Sequence, residues 1–249
     1  MSGHSKWSTI KHQKGVADNK RGQLFTKLGR EITVAARQGG GDPEVNARLR
    51  LAIERAREAN MPKDNTERAI KRGTGEDADG AQLEEVIYEG YGPGGTAILV
   101  EALTDNRNRT ASDVRTVFSK AGGSLGEAGS VAWQFETRGL IALEDTDADP
   151  EELALRAIDS GADDVNVDGD SVEIYTQPDQ LEAVRRALSQ AEIPVASAEI
   201  MQAPKSTIAL DANKAGQVLR LLDRLDELDD VQRVSCNADF PAEVLAAYA

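Results

Sequence analysis

The charge of this chain changes sign partway along, and that division limits how its parts can be arranged. Through Gly73 there are 16 Lys and Arg against 8 Asp and Glu, a net of +8; from Thr74 onward there are 13 against 35, a net of −22, and the two parts give the −14 of the whole chain. The sequence pI near 4.7 describes only the average. Residues 2–37 are the extreme case, with eight cations against Asp18 and Glu31. A chain divided in this way is expected to offer a polyanion one end only, because the acidic remainder repels phosphate.

The hydrophobic period changes at the same place. Residues 2–17 show no period and read as an extended arm. From Lys20 onward, Leu24, Phe25, Leu28, Ile32, Ala35 and Ala36 form one helical stripe, with Lys20, Lys27, Arg30 and Arg37 on the opposite side. The run Gly39-Gly40-Gly41-Asp42-Pro43 ends that helix. A second is expected over about 44–60, with Val45, Leu49, Ala52, Ile53 and Ala56 turned inward. Pro62 stops it, and Asp64 with Glu67 reads as a capping box for a third helix ending at Gly73. The polar, glycine-rich tract at 73–81 reads as a linker.

Beyond the linker the period is that of strands. Two are expected at 86–91 and 96–103, joined by Gly92-Pro93-Gly94-Gly95, followed by a helix over about 110–121 and a third strand at 131–135. Residues 138–202 spell strand, helix, strand, strand, helix, strand, the βαββαβ order of a ferredoxin-like unit, with Asp168-Gly169 as its hairpin turn. Residues 206–239 spell strand, helix, strand. That is too little chain for a core of its own, so it is expected to return to the sheet begun at Val86. The fold class is therefore α+β in three domains. They are an arm and helical bundle (1–80), a discontinuous α/β domain (81–136 plus 204–249), and an inserted ferredoxin-like domain (137–203).

Several function classes lose support at this level. Cys236 stands alone, which excludes an internal disulfide and fits a reducing compartment. No run of 18 apolar residues exists to span a membrane, and the basic N-terminus lacks the apolar segment of a secretory signal. A cytoplasmic location is expected. Gly90-Tyr91-Gly92-Pro93-Gly94-Gly95 copies a dinucleotide fingerprint letter for letter, but a strand follows it where a helix is required. Gly122-Gly123-Ser124-Leu125-Gly126 copies a nucleophile elbow, but it follows a helix and no His comes after position 12. The run opening at Asp164 resembles a calcium loop, yet Tyr175 stands where the twelfth-position Glu is needed. Two His and one Cys do not make a zinc shell. No catalytic residue, metal site or cofactor is expected, and the chain reads as a non-enzyme. An enzyme using a cleft between the acidic domains is the weakest alternative.

What remains is the basic N-terminal part. Its cations continue from the first helix into the arm, where Trp7 can stack on a base. Lys6, Trp7, Lys11, Lys14, Lys20, Arg21, Lys27 and Arg30 are the expected nucleic-acid contacts. Arg107 and Arg109 form a second candidate, two guanidiniums ahead of a helix N-terminus that could hold an anion or pair with one of many nearby acids. Partners are expected to be DNA or ribosomal RNA, with the ribosome itself as a further candidate; no membrane contact is expected. No dimerising heptad is visible, so a monomer is expected.

The letters themselves are specific. Gly3-His4-Ser5-Lys6-Trp7, Ile10-Lys11-His12, Lys20-Arg21-Gly22, Phe25-Thr26-Lys27, Gly40-Gly41-Asp42-Pro43 and Asn60-Met61-Pro62-Lys63-Asp64-Asn65 resemble the start of the YebC/PmpR family. Tyr88 to Gly95, Asn106-Arg107-Asn108-Arg109-Thr110 and Gly129-Ser130-Val131-x-Trp133-x-Phe135 are similar to it further on. The resemblance runs through the whole chain and is strongest before about residue 140. It implies a DNA-binding transcriptional regulator of three domains, a helical bundle, an α/β domain and an inserted ferredoxin-like domain. It also implies kinship with mitochondrial translational activators and with bacterial factors tied to stalled ribosomes. It brings no catalytic residues, so only the basic N-terminal positions carry over.

Overall fold

The computed structural model describes residues 18–76, 83–143, 149–168 and 171–248. Its first part is three helices: α1 (Asp18–Gly39), α2 (Ala47–Glu58) and α3 (Lys63–Thr74). The apolar stripe of α1 supplies Leu28, Ile32, Ala35 and Ala36 to a core completed by Leu49, Ala52, Ile53, Ala56, Met61 and Ala69. Close helix contact depends on Gly73, where a Cβ would collide with the Thr33 carbonyl and the Ala36 side chain. Thr33 Oγ1 donates to Ala69 O at 3.1 Å across the same crossing.

Within the bundle, the starts of the second and third helices differ from the sequence reading. The second helix begins at Ala47, not near Glu44, because the buried Asn46 caps it. Its side chain accepts from Leu49 N at 3.0 Å while donating to Ala35 O and Gly40 O at 2.8 Å. Val45 precedes the cap and is exposed. The third helix has no capping box: Pro62 occupies the cap position, and Glu67 pairs instead with Lys63 at 3.4 Å.

The strands fall into two four-stranded sheets. In the first, β1 (Glu84–Tyr91) and β2 (Ala97–Thr104) form a hairpin whose turn places Gly94 and Gly95 at φ near +80°, a backbone only glycine adopts without strain. The C-terminal β9 (Val231–Cys236) pairs antiparallel with the other edge of β2, Ile98 opposite Cys236, and the short β3 (Ser124–Leu125) pairs with β1. The sheet order is β3-β1-β2-β9. Helices α4 (Arg107–Lys120) and α7 (Ala212–Asp226) cover one face, burying Val114, Phe118, Leu219 and Leu222 against Ile98, Val100 and Val234. Cys236 is buried there, its thiol pushed up to about 12 by loss of water.

The second sheet is built from β4 (Phe135–Leu143), β5 (Asp164–Asp168), β6 (Ser171–Thr176) and β7 (Val195–Pro204), all antiparallel in the order β5-β6-β4-β7. Helices α5 (Pro150–Asp159) and α6 (Leu181–Gln190) lie between its strands in sequence, and Leu153, Ala157, Leu181, Val184 and Leu188 pack on Ile141, Val172 and Ile174. The expected third strand at 131–135 does not form. Ala132–Gln134 is a single 3₁₀ turn, and β4 begins at Phe135. The cause is Glu89, whose buried carboxylate accepts the N–H groups of Gly129, Val131 and Ala132 and so withdraws them from any ladder. A parallel pair, β8 (Ile208–Ala209) with β10 (Ala238–Asp239), and a terminal helix α8 (Ala242–Tyr248) complete the described chain.

Candidate nucleic-acid interface

The bundle packs against both sheets, and much of that contact is ionic. Lys27 Nζ donates to the carbonyl of Asp226 and lies 3.6 Å from its carboxylate. Arg30 reaches Asp230 at 2.7 Å and the carbonyl of Asp229 at 2.6 Å. On α2, Arg48 pairs with Glu85 of the first sheet, while Glu54 takes Arg185 of α6, the helix packed on the second sheet, at 3.1 Å. Leu51 adds an apolar contact to the second sheet's core.

These contacts correct part of the sequence reading. Lys27 and Arg30 were expected on a solvent face of α1. Their side chains are only 13% and 21% exposed and are held by carboxylates some 200 residues away. The acidic remainder of the chain takes the place that a phosphate was expected to occupy. Arg109 meets the same end: within the first turn of α4 it pairs with Asp105 and Asp230, both at 2.8 Å. The cap of that helix is Asn106, which accepts from Arg109 N at 3.1 Å. Arg107 is 68% exposed and lies 3.9 Å from Glu84, so it still faces water.

Asp230 is the hub of this arrangement. Burial by itself would raise its pKa, but hydrogen bonds from Arg109, Thr110 and Arg30 outweigh that and hold the carboxyl below its ordinary value. Thr104 Oγ1 lies 3.2 Å and Thr110 Oγ1 2.6 Å from Oδ2. One carboxylate thus ties α1 of the bundle to the end of β2 and the start of α4.

A different set of cations stays uncovered. At about 100° per residue, Lys63, Arg68 and Lys71 occupy the half of α3 opposite the buried Ala69 and Gly73, together with Asp64 and Glu67, and the exposed Arg72 stands at the edge of that half. Arg57 is exposed at the end of α2. Among the described residues no carboxylate pairs with Arg57, Lys71 or Arg72. Composition counted these positions; helical periodicity on α3 was the signal that could have singled them out. Arg37 is exposed and donates to Leu83 O at 3.1 Å. Of the arm positions, Lys6, Trp7, Lys11 and Lys14 lie outside the described residues. Lys20 is on the first turn of α1, its side chain not among those described, and Arg21 is exposed on the next residue.

A cleft of about 1000 Å³ lies where the bundle and the two sheets meet. Its charges are used internally, Arg55 on Glu31 at 2.9 Å and Arg233 on Glu199 at 3.2 Å. Glu101 Oε2 is buried there without a hydrogen-bond partner. Burial raises its pKa, Arg233 opposes that, and Glu85, Glu199 and Glu31 add to it. Among the described residues no group of three His, Cys, Asp or Glu could hold a metal ion, and no helix is long and apolar enough to cross a membrane.

The family model for the TACO1/YebC protein N-terminal domain matches residues 5–76, and that for the TACO1/YebC second and third domain matches residues 83–238. A probable transcriptional regulatory protein of Dehalococcoides mccartyi is 60% identical over 248 residues, covering 100% of this chain and 98% of its own. One of Thermomicrobium roseum is 56% identical over 247 residues, covering 99% of this chain and 100% of its own. The crystal structure of a conserved hypothetical protein from Aquifex aeolicus superposes with a TM-score of 0.84 at 50% identity, covering 92% of this chain and 94% of that one. The chain belongs to the TACO1/YebC family, and the relatives it matches are named as probable transcriptional regulatory proteins.

Proposed function

We propose that this protein is a non-enzymatic, cytoplasmic nucleic-acid-binding regulator, a DNA-binding transcriptional regulator that acts as a monomer and meets phosphate through its N-terminal third. The observation that carries this reading is the charge division, +8 through Gly73 against −22 beyond it. Internal pairing removes Lys27, Arg30 and Arg109 from the contact set. The contact set of this reading is then the N-terminal positions Lys6, Trp7, Lys11, Lys14, Lys20 and Arg21, joined by the outward cations Arg57, Lys71 and Arg72 and by Arg107. The division into a bundle (1–80), a discontinuous domain (81–136 plus 204–249) and an inserted ferredoxin-like domain (137–203) belongs to the same reading. The βαββαβ order of the second sheet and the pairing of β9 with β2 support it.

The test is a binding series at physiological salt with promoter duplexes, random duplexes and ribosomal RNA fragments. A regulator of transcription retains promoter fragments over random DNA. Equal, negligible retention of all three would overturn the reading. A second reading, a ribosome-associated translation factor, is favoured by the outer face of α3. There Asn65 is taken by Arg68, and no Asn, Gln and Arg set is spaced for reading base edges. Recognition of shape and backbone suits structured RNA. Co-sedimentation with ribosomes and crosslinking to ribosomal RNA would move the assignment there.

A further inference from the structure

We propose that Trp133 is a stacking platform for an unpaired nucleobase, with Lys205 beside it to meet the phosphate. This rests on the nucleic-acid reading above and extends it to a class of substrate, single-stranded or looped-out nucleotides, and to a second contact far in sequence from the arm.

The argument starts from what the chain invests in the loop Gly126–Gln134. Glu89 is buried, a costly place for a carboxylate, and its two oxygens accept the backbone N–H groups of Gly129 at 2.6 Å, Val131 at 2.7 Å and Ala132 at 2.8 Å. Burial pushes its pKa up, but these three donors outweigh it and hold the carboxyl below its ordinary value. Gly126 N donates to the Glu89 carbonyl at 2.7 Å, and Lys205 N to the Gln134 carbonyl at 2.8 Å. The loop displays its aromatic: Trp133 is 67% exposed.

The presentation narrows what the partner can be. The indole N–H, the one polar handle of the side chain, is already spent on Ser130 O at 3.1 Å, an acceptor shared with Tyr91 Oη at 2.9 Å. A partner therefore gains the ring face and no hydrogen bond, which suits a flat π system. Lys205 Nζ donates to the Trp133 carbonyl at 3.0 Å, is exposed, and has no carboxylate partner among the described residues. Glu136, the nearest acid along β4, is taken by Arg138 at 2.7 Å, and the loop holds a single acid, Glu127. A fixed aromatic face next to an unpaired ammonium is the recurring means of holding single-stranded nucleic acid, with stacking on the ring and charge on the backbone. Because the ring is already oriented, little entropy is lost on contact.

The chain has two Trp, so Trp7→Phe leaves Trp133 as the sole indole reporter. In that background, fluorescence is followed while oligo-U RNA, oligo-dT DNA or a DNA duplex is added at equal phosphate concentration. The single strands are expected to quench saturably and the duplex not to. The oligo-U and oligo-dT curves tell whether RNA or single-stranded DNA is held more tightly. Adding Trp133→Ala should weaken single-strand binding by roughly tenfold or more, measured by anisotropy of labelled strand, with the melting temperature unchanged. Trp133→Phe should recover most of the loss, and Lys205→Gln should flatten the salt dependence. Single-strand affinity equal to that of the Trp7→Phe parent after Trp133→Ala is added, the outcome if this surface docks another protein, would overturn the proposal and leave the nucleic-acid reading standing. Absence of binding to every nucleic acid by the unsubstituted protein would overturn both.

Discussion

The two faces of the helical bundle carry the same kinds of side chain and put them to opposite uses. On the inward face, Lys27 and Arg30 are half-buried against Asp226 and Asp230 and act as clasps between parts of one molecule. On the outward face, Arg57, Lys71 and Arg72 stand in water without carboxylate partners among the described residues. The difference is geometric. A cation's role is set by whether an acid of the folded chain reaches it first. The acidic remainder of this chain is therefore more than a repulsive body, because it neutralises some of the cations that composition alone would assign to phosphate.

The comparison can be broken most sharply at Asp230. Asp230→Ala leaves Arg30 and Arg109 without their shared carboxylate and removes an acceptor that two threonine hydroxyls share. It is expected to cost about 3 kcal/mol in urea unfolding, less than a fully buried pair because Arg109 is half exposed. Lys27→Glu sets like charges together beside Asp226 and should lower the melting temperature, by an amount smaller than Asp230→Ala. It should leave the salt dependence of nucleic-acid binding unchanged, unlike substitutions on the outward face.

Acid should act on the same clasps. Asp230 and Glu89 are both held below the ordinary carboxylate range. Each contributes stability that is full above the unfolded value, about 4, and is lost as pH falls through the folded value. Thermal unfolding is expected to be level from pH 7 to 5 and to fall steeply below about 4, with Asp230→Asn removing part of the fall. Glu101 runs the other way. Its raised pKa means that the folded state disfavours the charged form, so stability is lost as pH rises from the unfolded value through the folded one. Glu101→Gln should raise the melting temperature by about 2 °C at pH 7 and do nothing at low pH, the smallest effect in the series.

Much of this architecture is legible in the residues. The strands 164–168 and 171–176 follow from alternation on either side of the Asp168-Gly169 pair, and the structure places them there, while the expected turn at Gly169 lies outside the described residues. The return of β9 to β2 follows from a stretch too short for a core of its own. What the sequence does not reveal depends on partners distant along the chain. The Arg30–Asp230 pair spans 200 residues, and no local period announces it. The turn at Ala132–Gln134 depends on Glu89, some 40 residues earlier, so Val131 to Phe135 reads as a strand until that carboxylate is in place. Asn46 was missed as a cap because Pro43 offers a more familiar helix start. Trp133 falls in the same stretch that alternation reads as a strand, so neither its display on a loop nor its satisfied indole N–H is legible in the residues.

The most direct test of the charge division is the slope of log Kobs against log salt for the intact protein and for Arg57→Glu/Lys71→Glu/Arg72→Glu, on whichever of duplex DNA and ribosomal RNA binds more tightly. The account expects weaker binding, a slope smaller by about 2–3, and an unchanged melting temperature. Superimposable salt lines for the two proteins would contradict it.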